Sequence, residues 1–123
     1  MKAFVLMCAL IGVAATAQAK DLFICHNSDI HVLVSRSGNT LHYTAWPDGG
    51  SRSRPALRLR GGVQRAEGSG VCAHRVWTFR SGPYRYQVSD GGCYSDEAPE
   101  DYTGRVTVSR NGETVSRFYC HDL

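Results

Sequence analysis

Apolar and polar residues alternate along much of the chain with a period of two. Ile30, Val32 and Val34 alternate with His31, Leu33 and Ser35, and after Ser37-Gly38-Asn39 the residues Leu41, Tyr43 and Ala45 alternate with His42, Thr44 and Trp46. Successive side chains of a strand point to opposite faces, so this pattern predicts a hairpin. Pro47-Asp48-Gly49-Gly50 then breaks the pattern, because Pro fixes φ and Gly admits positive φ. Residues 51–70 are rich in Ser, Arg and Gly, and the brief alternation at Ala56, Leu57 and Leu59 predicts one short strand inside long loops. Val76–Arg80 and Tyr84–Val88 flank the turn Ser81-Gly82-Pro83, which lets Trp77 and Phe79 face Tyr84, Tyr86 and Val88 across two strands. Asp90-Gly91-Gly92 ends the second of these, and an acidic loop containing Pro99 follows. Arg105–Ser109 runs into Asn111-Gly112, a strong hairpin signal, and Val115–Cys120 returns. No long segment repeats with the 3.6-residue period of a helix. The expected fold is all-β, with about six to eight short antiparallel strands closed into a small barrel that leaves few edges.

The N-terminal residues break this pattern. Lys2, an apolar run from Ala3 to Ala15 and the small residues of Ala17-Gln18-Ala19 read as a secretory signal over residues 1–19, which leaves residues 20–123 as a single exported domain. No other apolar stretch approaches the roughly 18 residues of a membrane helix. An intracellular enzyme, a membrane-spanning protein and a multidomain receptor are therefore not expected. The periplasm is the expected location, with release to the medium as the alternative.

Of the 5 cysteines, Cys8 lies in the signal, and an even set of Cys25, Cys72, Cys93 and Cys120 remains. In an oxidising compartment such a set predicts two disulfides. Three pairings are possible. Cys25–Cys120 with Cys72–Cys93 is preferred, since the first joins the ends of the domain and the second closes a local excursion.

Charge changes the picture through its distribution. Residues 36–85 hold nine Arg against Asp48 and Glu67, whereas residues 86–123 hold three Arg against seven acids. The run Arg52, Arg54, Arg58, Arg60 has the chemistry to hold an anion, although a solvated face that blunts strand edges is the more ordinary role. The chain has no Gly-x-Ser-x-Gly elbow, no phosphate loop and no His-Glu-x-x-His. A secreted nuclease using His31 or His42 as base and acid, with Arg52, Arg54 or Arg58 on the phosphate, has the right residue types and no further support. A Cys25–Cys120 bridge would bring His26 and His121 near each other, with Asp122 or Asp29 as further oxygen donors; surface histidines are the plainer reading, and no metal or other cofactor is expected. Cys72 and His74 resemble a thiolate ligand pair, but Cys72 is expected in a disulfide.

Four features bear a resemblance. Phe23-Ile24-Cys25 is an aromatic-x-Cys opening, Cys120 lies near the C terminus, Ser69-Gly70 forms a Ser-Gly loop, and Trp77-Thr78-Phe79-Arg80-Ser81-Gly82 is an aromatic strand and turn. As scattered anchors over residues 22–120, these resemble the membrane-bound and periplasmic inhibitors of C-type lysozyme, which are small antiparallel β-barrels. Cys72, Cys93 and the excursion from Gly91 to Pro99 depart from that pattern. The resemblance implies a binding protein, not an enzyme, whose partner is a C-type lysozyme, and the expected state of the domain is a monomer. It places Ser69 in the enzyme's cleft against the catalytic carboxylates, with Gly70 shaping the loop. A serine hydroxyl can donate to a carboxylate, and Arg65, Arg75 and Arg80 are candidates for a shorter, charge-assisted bond. Without the resemblance, Glu67-Gly68-Ser69-Gly70 reads as a turn.

A different class of partner is the third reading: an envelope interaction module, or an immunity protein against another secreted toxin. Loops on a rigid scaffold would then carry the contacts, and Trp46, Tyr94 and Tyr102 are its aromatic candidates, with a place in the core as their competing role. Neither nucleic-acid binding nor a membrane anchor is expected.

Overall fold

The computed structural model describes residues 19–94 and 98–122. The expected signal over residues 1–19, apart from Ala19, lies outside the described residues, as do Cys8, Asp96 and Glu97. The described residues form an all-β domain: β1 (Ala19–His26), β2 (Ile30–Ser37), β3 (Thr40–Pro47), β4 (Leu57–Arg60), β5 (Val63–Glu67), β6 (His74–Ser81), β7 (Tyr84–Ser89), β8 (Gly104–Arg110) and β9 (Glu113–Cys120), with one 3₁₀ turn at Gly70–Cys72. No helix among the described residues is long and apolar enough to cross a membrane.

All strand pairing is antiparallel between chain neighbours, in a four-stranded sheet β1-β2-β3-β4 and a five-stranded sheet β5-β6-β7-β8-β9. Nine strands exceed the expected number. The extra ones flank the pattern-rich hairpins: β1 pairs with β2 from Ala19 to His26, and β5 pairs with β6. Val63–Glu67, expected as loop, is a strand whose five residues are all exposed, so it carries no alternation of apolar residues and is held by its ladder to Val76–Thr78 and neighbours. Two sheets take the place of a continuous closed ladder. At one seam, β1 and β9 are joined by the isolated His26–His121 bridge and by the Cys25–Cys120 disulfide. At the other, β4 and β5 belong to different sheets and are linked by Gly61-Gly62. A side chain at residue 62 would place its Cβ 2.4 Å from the Phe79 ring, so the chain can cross between sheets this close to the core only with glycine there.

The inward faces meet in one core. Val32, Val34, Tyr43 and Ala45 of the first sheet and Trp77, Phe79, Val88 and Val106 of the second are buried there with Cys25 and Cys120. Phe23 stacks on Trp77 at 6.0 Å, and Tyr43 packs against Phe79 at 5.6 Å and Tyr86 at 5.2 Å. The expected cross-strand facing holds: Trp77 pairs with Val88, Phe79 with Tyr86, and Ser81 with Tyr84. Trp77 Nε1 donates to Gln64 Oε1 at 2.8 Å, which satisfies the one polar atom this large side chain takes into the core. Burial, with Tyr86 nearby, pushes the Tyr43 hydroxyl's pKa well above the usual tyrosine range.

The alternation in β2 and β3 does not translate into one wet face. His31, Leu33, Ser35, Thr44 and Trp46 point away from the core and are nevertheless buried. On this face His31 stacks on Trp46, Asp48 from the loop after β3 reaches back to His31, and Arg52 reaches across to Asp21 at 3.1 Å.

Candidate functional site

Both expected disulfides are present, Cys25–Cys120 and Cys72–Cys93. The second staples the β5–β6 connection, where Ser69 and Gly70 lie. Gly68 has φ +75°, and a Cβ there would sit 2.2 Å from the Cys72 carbonyl oxygen, so this tight return requires glycine. Backbone bonds from Cys72 N–H to the Ser69 carbonyl (3.0 Å) and from Ala73 N–H to the Gly70 carbonyl (3.2 Å) close the turn. Ser69 has extended backbone, is exposed, and its hydroxyl does not cap the turn. Val71, at the tip, is 99% exposed, whereas a valine of a β domain ordinarily lies in its core.

The base of this loop is rigidly packed. His74 Nδ1 donates to the Cys72 carbonyl at 2.8 Å, and the His74 ring meets Tyr94 edge-on at 6.0 Å. Tyr94, Tyr102 and Tyr119 form a cluster with centroids 5.7 to 6.5 Å apart, and Tyr102 Oη donates to the Gly92 carbonyl. Tyr94 and Tyr102 thus anchor the loop that carries Cys93. Trp46, the third aromatic candidate, is buried and stacks on His31 at 5.7 Å.

The candidate arginines do not gather at Ser69. Arg65, on β5, binds Glu67 Oε2 at 2.6 Å and Thr78 Oγ1 at 3.1 Å. Arg75 is on the opposite face, ion-paired to Asp90 at 2.6 Å and lying 4.8 Å over the Trp77 ring. Arg80 sits at the far end of β6, six residues beyond His74, or about 20 Å away along an extended strand. Only Ser69 and Gly70 belong to the loop itself.

The histidines divide into separate settings. His26 Nδ1 and His31 Nδ1 are 2.9 Å apart, and His31 Nε2 is 2.8 Å from Asp48 Oδ1. When His31 donates from Nε2 to Asp48, its Nδ1 accepts a hydrogen bond from the Nδ1–H of His26. Burial first, then the adjacent His31, lowers the His26 pKa, with Asp122 opposing. His26 and His121 are neighbours across the seam as expected, but His26 takes His31 as its partner and His121 faces Asp101 at 3.5 Å. No group of three or more His, Cys, Asp or Glu among the described residues could hold a metal ion. His42 shares a shallow groove with Arg52 and Arg58, two of the nuclease candidates. His31, however, is four positions along β2 from Ser35, the cross-strand partner of His42, about 13 Å away.

The fold and the stapled loop define a small, doubly disulfide-bonded all-β domain. The chain matches no protein-family model, and no curated protein or solved structure is significantly similar to it.

Proposed function

We propose that this chain is an exported binding protein that inserts its 68–73 loop into a concave site of a protein partner, with a C-type lysozyme as the specific partner. The observation that carries this reading is the loop itself, a disulfide-pinned tip that holds Ser69 and a solvent-exposed Val71 on a packed aromatic base. Pinning removes most of the ordering entropy that a free loop would lose on binding, so little of the contact energy is lost to rigidification. In a cleft lined by carboxylates, the free Ser69 hydroxyl donates a hydrogen bond and Val71 supplies apolar contact. Arg65 lies near the loop base and is ion-paired with Glu67 at the surface; Arg75 is committed to Asp90, and Arg80 is too distant to take part. In this reading the two sheets are halves of a small barrel, the domain is a monomer without a cofactor, and the periplasm is its compartment.

The test is a titration of C-type lysozyme activity with the oxidised protein. Near-stoichiometric inhibition is expected, weakened at least tenfold by Ser69→Trp and by Val71→Asp, each at the exposed tip where neither disturbs the core. Absence of inhibition across several C-type lysozymes, or inhibition indifferent to both substitutions, refutes the reading. Ser69→Trp measured against a panel of envelope proteins would then separate a different partner from no loop-mediated partner at all.

A further inference from the structure

The outward face of the five-stranded sheet carries a second feature, at the opposite end of β6 from the loop. Arg80 and Arg85 are direct cross-strand partners in the β6–β7 ladder. Like charges placed directly opposite destabilise a sheet. On the same face, the next rung runs Thr78, Gln87, Thr107, Arg117, and the one beyond it runs Val76, Ser89, Arg105, Tyr119. A groove of about 450 Å³ opens there, lined by Arg80, Arg85, Gln87, Arg105, Thr107 and Arg117 and by no acidic side chain. Among the described residues, Arg80, Arg85, Arg105 and Arg117 form no ion pair, and the Arg105 guanidinium lies 3.6 Å over the Tyr94 ring. Arg85 Nε is buried with no hydrogen-bond partner.

Ordinary roles do not account for this arrangement. Arginines that prevent edge-to-edge aggregation belong on edge strands, whereas Arg80, Arg85 and Arg105 sit on the interior strands β6, β7 and β8, and only Arg117 lies on the edge strand β9. Arginines that serve solubility need no like-charged partner directly opposite and leave no donor buried without an acceptor. An anion between the guanidiniums would relieve the repulsion and accept from Arg85 Nε, and a guanidinium fork matches two oxygens of a phosphate. Successive same-face rungs are about 7 Å apart, so the Arg80–Arg85 pair and Arg117 address different oxyanions. No aromatic ring lines the groove to stack a nucleobase.

We propose that this groove is a binding site for an oligophosphate group, with Arg80 and Arg85 holding one phosphate and Arg117 and Arg105 a second. The hydroxyl of Thr107 and the amide of Gln87 supply neutral donors between them. The phosphates can belong to a free oligophosphate or to a lipid headgroup bearing two phosphates.

Calorimetric titration of the oxidised protein with tripolyphosphate and with orthophosphate tests the site. Saturable one-to-one binding is expected, at least tenfold tighter for tripolyphosphate. The double variant Arg80→Gln/Arg85→Gln should lose at least tenfold in affinity while its ligand-free melting temperature at low salt stays equal or rises, because the like-charge pair is gone. Arg36→Gln/Arg54→Gln, which removes the same charge elsewhere, should bind as the parent does. Sedimentation with phosphatidylcholine vesicles, with and without cardiolipin, assigns the source: cardiolipin-dependent binding displaced by tripolyphosphate indicates a lipid headgroup, and tripolyphosphate binding without vesicle binding indicates a free ligand. Either result supports the site. No saturable binding, or equal loss in both double variants, overturns it.

Discussion

The two disulfides close loops of very different length, and that difference can be measured. Cys25 and Cys120 are 95 residues apart in sequence, and Cys72 and Cys93 are 21 apart. Crosslinking lowers the entropy of the unfolded chain by an amount that grows with the logarithm of loop length, giving about 4.7 kcal/mol for the first and about 3.3 kcal/mol for the second at 25 °C. Cys25 and Cys120 are fully buried, so replacing both by alanine also leaves a void where the sulfur atoms packed, and the entropic figure is then a lower bound. Cys93 is exposed, so its replacement adds little beyond the entropy. Urea unfolding followed by the fluorescence of the buried Trp46 and Trp77 should thus show Cys25→Ala/Cys120→Ala less stable than Cys72→Ala/Cys93→Ala by at least about 1.3 kcal/mol. Loop behaviour should reverse that order. Under native conditions elastase should cut after Val71 in the Cys72→Ala/Cys93→Ala variant much faster than in the parent, since the β5–β6 connection is the segment this bridge restrains. A larger stability loss from the shorter crosslink, or an unchanged elastase rate, would falsify the view of Cys72–Cys93 as a local staple.

Other outcomes follow from the same packing. Because burial and His31 lower the His26 pKa below its ordinary 6.5, the unfolded chain binds this proton more readily; the associated stability is complete above pH 6.5 and falls as the pH drops through 6.5 toward the folded value. Melting temperatures between pH 5 and 8 should show that decline, and His26→Gln should flatten it, with Asp48 and Asp122 left in place. Trp77→Ala empties a fully buried site, so urea unfolding should give a loss of about 3 to 5 kcal/mol, whereas Val115→Ala, at the exposed β9 bulge, should stay within about 0.5 kcal/mol.

Local patterns made much of the fold legible. The β2–β3, β6–β7 and β8–β9 hairpins follow from period-two alternation and from turns whose glycines and Asn111 adopt positive φ. Such hairpins depend on neighbours in the chain, so sequence carries them. The strand β5 escaped detection because its residues bury nothing and its only support is the ladder to β6. The burial of outer positions such as Leu33 and Trp46 escaped because period-two alternation tells which residues share a face and not what lies over that face.

The candidate sites divide along the same line. The disulfide framework and the Ser69-Gly70 turn were readable from cysteine count and glycine spacing, and the Arg80–Arg85 pairing follows from the Ser81-Gly82-Pro83 turn, since a short hairpin dictates its own register. Sequence by itself therefore determined strands, turns, crosslinks and the chemistry available. Tertiary structure alone decided that Arg52 meets Asp21, that Phe23 stacks on Trp77, and that Arg105 and Arg117 come alongside Arg80 and Arg85. These meetings join residues from different hairpins and loops, and their geometry is set by how two sheets bury a common core, which no local pattern encodes.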